Sequence, residues 1–322
     1  MRSSSIFQIA ALTVGAILLI VLVVNYNFSA AVTAFSRLKL FYIVLATLSF
    51  LAYTFLRFLP WAFIIRQSSI KMGFLRSFLM MQAYFDMSVI SFLFQFVSLR
   101  YLDRFKKNAR LFSGSIIIST GLTSFFALIL MVMLTSVLIS VYIPYIIALA
   151  AIFYLFMSLI GREGLLRLIV GKLRKFNSKF KSAIIRTSLR YLNVLRKTRS
   201  FLSQRDILIE TLAFLPALFF ENLIIYFTLI AFNQNISIFS VIFFFSIADI
   251  IGIISFLPLA IGALDISFVG FLTGLGVPGI IALSTLLIYR FFMNLILPIL
   301  GYSCLMSLDF LTRKNLLDIN NK

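Results

Sequence analysis

The sequence predicts an all-α, polytopic helical membrane protein of about eight transmembrane helices, one or two of them re-entrant or broken. Three observations carry this expectation. Of 322 residues, 62% are hydrophobic and only 12% charged, and the mean hydropathy is +1.09, whereas a soluble domain is nearer half apolar. Apolar runs of span length recur, with basic residues collected between them. Finally, the apolar zone 249–290 is interrupted by Pro258, Gly262, Asp265, Gly270, Gly274, Gly276 and Pro278. Irregular backbone at membrane depth survives only where protein or a wet cavity covers it, which makes this zone the first site candidate. The whole chain, 1–322, reads as one integral membrane domain.

The formal charge of +19 is distributed between apolar spans and forms no separate basic domain. That pattern points to anionic lipid headgroups as partners and not to nucleic acid. A single cysteine, Cys304, excludes an intrachain disulfide and a thiolate metal cluster. Histidine is absent, which removes the usual neutral-pH proton shuttle and the commonest metal ligand. Neither a metal nor a cofactor is expected, and any proton chemistry falls to carboxylates.

In chain order, residues 6–24 form a first span, longer than the apolar core of a cleaved signal peptide. A second span covers 38–59 and ends at Arg57, Pro60 and Trp61, where a proline and an interfacial aromatic are at home. Segment 82–98 is apolar but carries Gln82, Asp86 and Gln95, and Arg100 follows it. Both its flanks are basic, so it reads either as a re-entrant hairpin or as one straight span. Residues 113–138 and 141–160 are two more spans. The segment 161–206 holds thirteen basic residues, with apolar residues near helical spacing. It reads as a cytoplasmic loop, either an amphipathic helix against anionic headgroups or a plainly solvated connection, and it sets the N-terminus as cytoplasmic too.

Residues 207–232 carry Glu210, Pro216 and Glu221. Eleven residues at about 100° each return the two glutamates to one helix face, with a kink expected at the proline. Residues 236–257 carry Asp249, and the last span, 278–308, carries Arg290. Of ten acidic residues, Asp86, Glu210, Glu221, Asp249 and Asp265 lie in apolar segments. An ionised group at a span centre costs about 2.5 to 3.5 kcal/mol on insertion scales, so such residues line a cavity or pair with one another. Glu210 reads as a helix-end residue in the headgroup zone. Asp265 and Glu221 read as functional, one on broken backbone and the other beside a proline. Arg290 requires an anionic partner, either one of these acids or a lipid phosphate, and Arg100 is a second cationic candidate. Gly270 and Gly274 have the spacing that lets helices approach closely.

Catalytic motifs are missing: no phosphate-binding glycine loop, no nucleophile elbow, no zinc motif. The stretch PLAIGALDISFVGFLTGLGVPGIIALSTLLIYRFFMNLILPILG resembles the membrane domain of the lysylphosphatidylglycerol synthase and flippase family. Pro258, Gly262, Gly274 to Val277, Tyr289, Arg290, Pro298 and Gly301 carry the resemblance, and Asp265 stands where the family has glutamate. The family's earlier glycine-rich segment falls near residues 95–104, where only Arg100, Asp103 or Arg104 stands in. The resemblance implies the flippase-like part alone, without the aminoacyl-transfer domain.

The functional expectation is therefore translocation or handling of a charged headgroup on a phospholipid or polyprenyl-linked lipid. Arg290, Asp265, Glu221, Asp249, Asp86, Gln82, Gln95 and Arg100 are its candidate residues. The alternative is a membrane glycosyltransferase using a polyprenyl-phosphate-linked sugar donor. A third reading is a scaffold whose basic loop recruits a soluble or membrane partner.

Overall fold

The computed structural model describes residues 38–67, 73–88, 109–139, 204–255 and 260–320. Among the described residues every regular element is helical: α1 (Leu40–Leu56), α2 (Phe58–Gln67), α3 (Phe74–Ser88), α4 (Ala109–Ile139), α5 (Gln204–Ala231), α6 (Ile238–Ile254), α7 (Ala263–Gly274), α8 (Gly279–Arg290), a π-helical turn (Phe291–Ile296) and α9 (Leu297–Asn320). Four segments are long and apolar enough to cross a membrane: Leu40–Phe63, Gly121–Leu138, Arg205–Ala231 and Gly279–Leu308. The protein is thus an all-α polytopic membrane protein. The spans expected at 6–24 and 141–160, most of the basic loop 161–206, Gln95, Arg100 and Pro258 lie outside the described residues.

The helices are apolar all round, as a lipid environment demands. Leu40, Phe41, Leu51, Leu134, Ile254 and Phe310 are exposed and contribute to the lipid-facing surface, while Phe50, Ile224, Phe245, Phe268 and Leu286 belong to the core. Chain directions follow from specific contacts. Lys39 N–H donates to the Ala231 carbonyl at 3.2 Å, which sets the start of α1 beside the end of α5. Ring pairs Phe244–Phe271 (5.3 Å) and Phe245–Phe268 (5.5 Å), together with Gly252 against Ala260 and Leu264, run in opposite sequence directions. Helices α6 and α7 are therefore an antiparallel pair.

At the other end of α7 the chain turns through Gly276, whose φ of +88° strains any residue but glycine. Val277 N–H closes that turn on the Leu272 carbonyl at 3.0 Å. Pro278 then opens α8 as its N-cap, where a missing N–H costs nothing. With 12 residues each, α7 and α8 are about 18 Å long, just over half of a hydrocarbon core of about 30 Å. The ends of α5 and α7 and the starts of α1, α6 and α8 consequently share one side.

Details of the first half are refined. The second span is present as Leu40–Phe63, with a one-residue discontinuity at Arg57, where α1 stops at Leu56 and α2 starts at Phe58. Pro60 accounts for the break, because it cannot donate to the Leu56 carbonyl and its ring crowds that turn. Trp61 is 1% exposed, on an α2 that packs against α5 and α3. The apolar segment expected from Gln82 begins earlier, since α3 starts at Phe74 and Gln82 sits within it.

Candidate functional site

The polar groups meet at one depth. Glu221 lies ten residues before the end of α5, Asp249 eleven after the start of α6, Asp265 nine before the end of α7, and Tyr289 and Arg290 ten and eleven after the start of α8. At 1.5 Å per residue each is about 15 Å from the same side, midway through a bilayer core of about 30 Å. Four helices of unrelated sequence thus deliver their charged side chains to a single plane.

Asp265 is fully buried, at 0% exposure, and holds two elements together. Its Oδ2 accepts the Gly262 N–H at 2.8 Å and so caps the start of α7. Gly262 itself has φ +89°, and the preceding Ala260 has φ +53°, the backbone signature of the break. Its Oδ1 accepts Arg290 Nε at 2.8 Å and lies 2.6 Å from Arg290 Nη2. The Arg290 side chain is 12% exposed, so this ion pair is nearly withdrawn from solvent and lipid. A carboxylate in the first turn of a helix is also favoured by the helix dipole.

Glu221, 6% exposed, accepts the Tyr289 hydroxyl on Oε1 at 2.7 Å. It lies within electrostatic reach of Asp249 and Arg57, and Asp249 is within reach of Arg290. Arg57 occupies the break between α1 and α2. Its Nη2 donates to Gln82 Oε1 at 2.8 Å, and its guanidinium sits 5.3 Å over the Tyr53 ring centroid. Gln82 Nε2 in turn donates to the Thr54 carbonyl at 2.8 Å, tying α3 to α1.

Residues 8–301 match the family model described as the lysylphosphatidylglycerol synthase TM region. The chain belongs to that family. It is therefore a membrane protein of a lipid-handling family, as the resemblance at 258–301 implies. No curated protein matches it.

Against this family assignment the structure sorts the sequence candidates. Asp265, Arg290, Glu221 and Asp249 come together, and Gln82 joins them through Arg57. Asp86 lies on α3, one turn beyond Gln82. Gln95, Arg100 and the break residue Pro258 are outside the described residues; the other break residues are Gly262, the α7 N-cap, Gly274, its last residue, Gly276 in the turn and Pro278 at the start of α8.

Other expectations change. Arg290 pairs with Asp265, which decides between the acids it was matched with. Glu210, in the second turn of α5, is 0% exposed and accepts the Thr123 hydroxyl at 3.2 Å from α4. It and Glu221 therefore meet different neighbours despite their shared helix face, and α5 runs through Pro216 as one helix. Among the described residues Gly270 and Gly274 mark no close helix approach, since a Cβ at either would meet none of them within 4 Å. The tight glycine is Gly252, where a Cβ would stand 2.6 Å from that of Ala260. Arg57, Tyr53 and Tyr289 are the cluster members that sequence reasoning passed over as site residues. One signal marked Arg57, since the apolar run continues beyond it to Ile65.

Proposed function

We propose that the protein translocates a charged lipid headgroup between leaflets, using the mid-membrane cluster of Asp265, Arg290, Glu221 and Asp249 as its passage. The observation that carries this reading is the Asp265–Arg290 pair at the buried start of a half-length helix. Intramembrane ion pairs are costly and are kept where charge has to pass or be held. Within the cluster, an incoming phosphate can take the place of Asp265 on the planar guanidinium, for which phosphate and carboxylate are equivalent partners. During that exchange the displaced Asp265 carboxylate keeps the Gly262 N–H and the favourable end of the α7 dipole. Glu221 and Asp249 then face the positive or hydroxyl-bearing part of the headgroup. The basic loop 161–206, on the cytoplasmic side, gathers anionic lipids near the entrance.

The test is reconstitution in phosphatidylcholine liposomes containing labelled phosphatidylglycerol or labelled polyprenyl phosphate. Wild-type protein is expected to move one of them between leaflets, and Arg290→Ala to lower the rate at least tenfold. Absence of movement for both lipids, or equal rates for the variant, sinks the reading. Covalent transfer of the label onto another molecule would instead mark a transferase.

A further inference from the structure

Asp265 has its guanidinium, whereas Glu221 and Asp249 form no ion pair among the described residues. Glu221 takes one hydrogen bond, from the Tyr289 hydroxyl, and Asp249, partly exposed, takes none. What they do face is each other. The Tyr289 ring packs 5.0 Å from that of Phe245, and Asp249 follows Phe245 by one turn on the same face of α6. That places the second carboxylate beside the Tyr289–Glu221 bond, at the depth the two acids share. Among the described residues, the titratable and charged groups facing the pair are Tyr53 from α1, Arg57 from the α1–α2 break, and Tyr289 and Arg290 from α8. Asp265 of α7 is held by Arg290, and stretch 121–138 of α4 carries no titratable residue. Two carboxylates that share a water-poor site do not both ionise, because one proton between them removes their repulsion. With Asp265, Glu221 and Asp249 set against Arg57 and Arg290, the described cluster is neutral when that proton is present.

A second observation points the same way. Asn222 Oδ1, Ser246 Oγ and Thr285 Oγ1 are buried without a hydrogen-bond partner, in residues no more than 1% exposed. Leaving such an atom unpaired costs about 1 to 3 kcal/mol, so each calls for a partner that comes and goes. Asn222 adjoins Glu221, Ser246 precedes Asp249 by one turn, and Thr285 precedes Tyr289 by one turn. They stand nine, eight and six residues from the end of α5, the start of α6 and the start of α8, about 9 to 14 Å from the side those ends share. All three lie between the carboxylates and that side.

We infer that Glu221 and Asp249 are a proton-binding site, holding one proton between them and exchanging it through Asn222, Ser246 and Thr285 with the side on which α5 ends. A proton passes along hydroxyl and amide oxygens in hydrogen-bond steps and needs no open channel of its own. A phosphate arriving on Arg290 adds one negative charge to the cluster, and the proton offsets it. Each therefore strengthens the binding of the other, by reciprocity, and an anionic headgroup moves together with a proton. This coupling rests on the reading that a lipid headgroup enters the cluster; the proton site itself does not.

Dicyclohexylcarbodiimide, an apolar reagent that adds to carboxyl groups carrying a proton, reads the site without any transport. Purified full-length protein in detergent is treated at about pH 7, where an isolated carboxyl is ionised, and the adducts are located by mass spectrometry. An adduct is expected on Glu221 or Asp249, about tenfold or more above that on Asp265, and it should decline as the pH is raised. Glu221→Gln should lower an Asp249 adduct about tenfold, and Asp249→Asn a Glu221 adduct, since a carboxylate without its twin has no repulsion to relieve. No adduct above that on Asp265, or a wild-type adduct on the remaining carboxyl of these variants, overturns the site. Should one variant not elute as a monodisperse species, the other decides, and failing both the comparison with Asp265 does.

In the liposome assay, a pH gradient with the membrane potential clamped should change the rate of phosphatidylglycerol movement about fivefold or more, the lower end of ordinary coupling. Ser246→Ala combined with Thr285→Val should reduce that effect of the gradient, and an undiminished effect overturns the exchange route. Carbodiimide adducts without lipid movement remove the translocation reading alone. Lipid movement without adducts removes the proton site alone, and adducts with movement indifferent to the gradient overturn the coupling.

Discussion

At the scale of single residues, the Asp265–Arg290 pair separates stability from function. Removing one member of a buried pair leaves the other charge without compensation, at a cost of about 3 to 5 kcal/mol, whereas replacing both is often close to neutral. Arg290→Ala is therefore expected to lower the melting temperature in detergent sharply. The double variant Asp265→Asn, Arg290→Met should recover most of that loss, since asparagine can still accept the Gly262 N–H. The double variant should nevertheless stay inactive in liposome transport. Recovery of transport along with stability would reduce the pair to a structural tie. Tyr289→Phe leaves Glu221 Oε1 without its hydroxyl donor and should cost about 1 to 3 kcal/mol by the same melting assay, the usual penalty for an unsatisfied buried acceptor. These acids and Arg290 were legible in the sequence because a charge inside an apolar run is conspicuous. Their pairing was not, because it depends on how far along and around its own helix each residue lies. Tyr289 stood in the family-like stretch with nothing to single out its hydroxyl, and Arg57, beside Pro60 and Trp61, read as the end of a span.

At the scale of elements, the sequence announced the breaks better than it announced the contacts. Gly262, Gly276 and Pro278 mark the limits of α7 and α8 because their backbones do what other residues do poorly: φ is +89° at Gly262 and +88° at Gly276. The glycine spacing at Gly270 and Gly274 suggested a close helix pair, yet spacing says nothing about which face meets a neighbour, and among the described residues neither position meets one within 4 Å. The close approach is at Gly252, with Ala260 at 2.6 Å and Leu264 at 3.2 Å from a built Cβ. Gly252→Ala is accordingly expected to push the α6–α7 hairpin apart at its tip and to destabilise by about 1 to 3 kcal/mol, as overpacked substitutions do. Gly270→Ala and Gly274→Ala should melt at or slightly above the wild-type temperature, since alanine favours the helix. Thermal melts of the three variants in one detergent decide this, and a loss at Gly270 or Gly274 matching that at Gly252 would count against the hairpin geometry.

At the scale of the whole molecule, the antiparallel pairing of α6 with α7 fixes the parity of the C-terminal half. From sequence, residues 258–276 fit either one crossing or a hairpin, and the two put the chain end on opposite sides. The ring pairs Phe244–Phe271 and Phe245–Phe268 choose the first: α7 is one helix running back along α6, and its end returns to the side where α6 starts. The connection after α5 and the α7–α8 turn then share one side, and α8 with α9 makes the crossing that follows. The end of α9 emerges where α5 begins, the side we propose, from the basic loop 161–206 and the positive-inside rule, to be cytoplasmic. In a Cys304→Ser background, single cysteines at Asn235 and Leu275, both exposed, should react with an impermeant maleimide added to intact cells. One placed at Arg205 should react only after permeabilisation, and so should one at Lys322. Labelling of the Asn235 and Leu275 positions from opposite sides would mean that α7 continues through the membrane. In that case Asp265 and Arg290 could not share the depth on which their pairing depends, and the cluster itself would have to be redrawn.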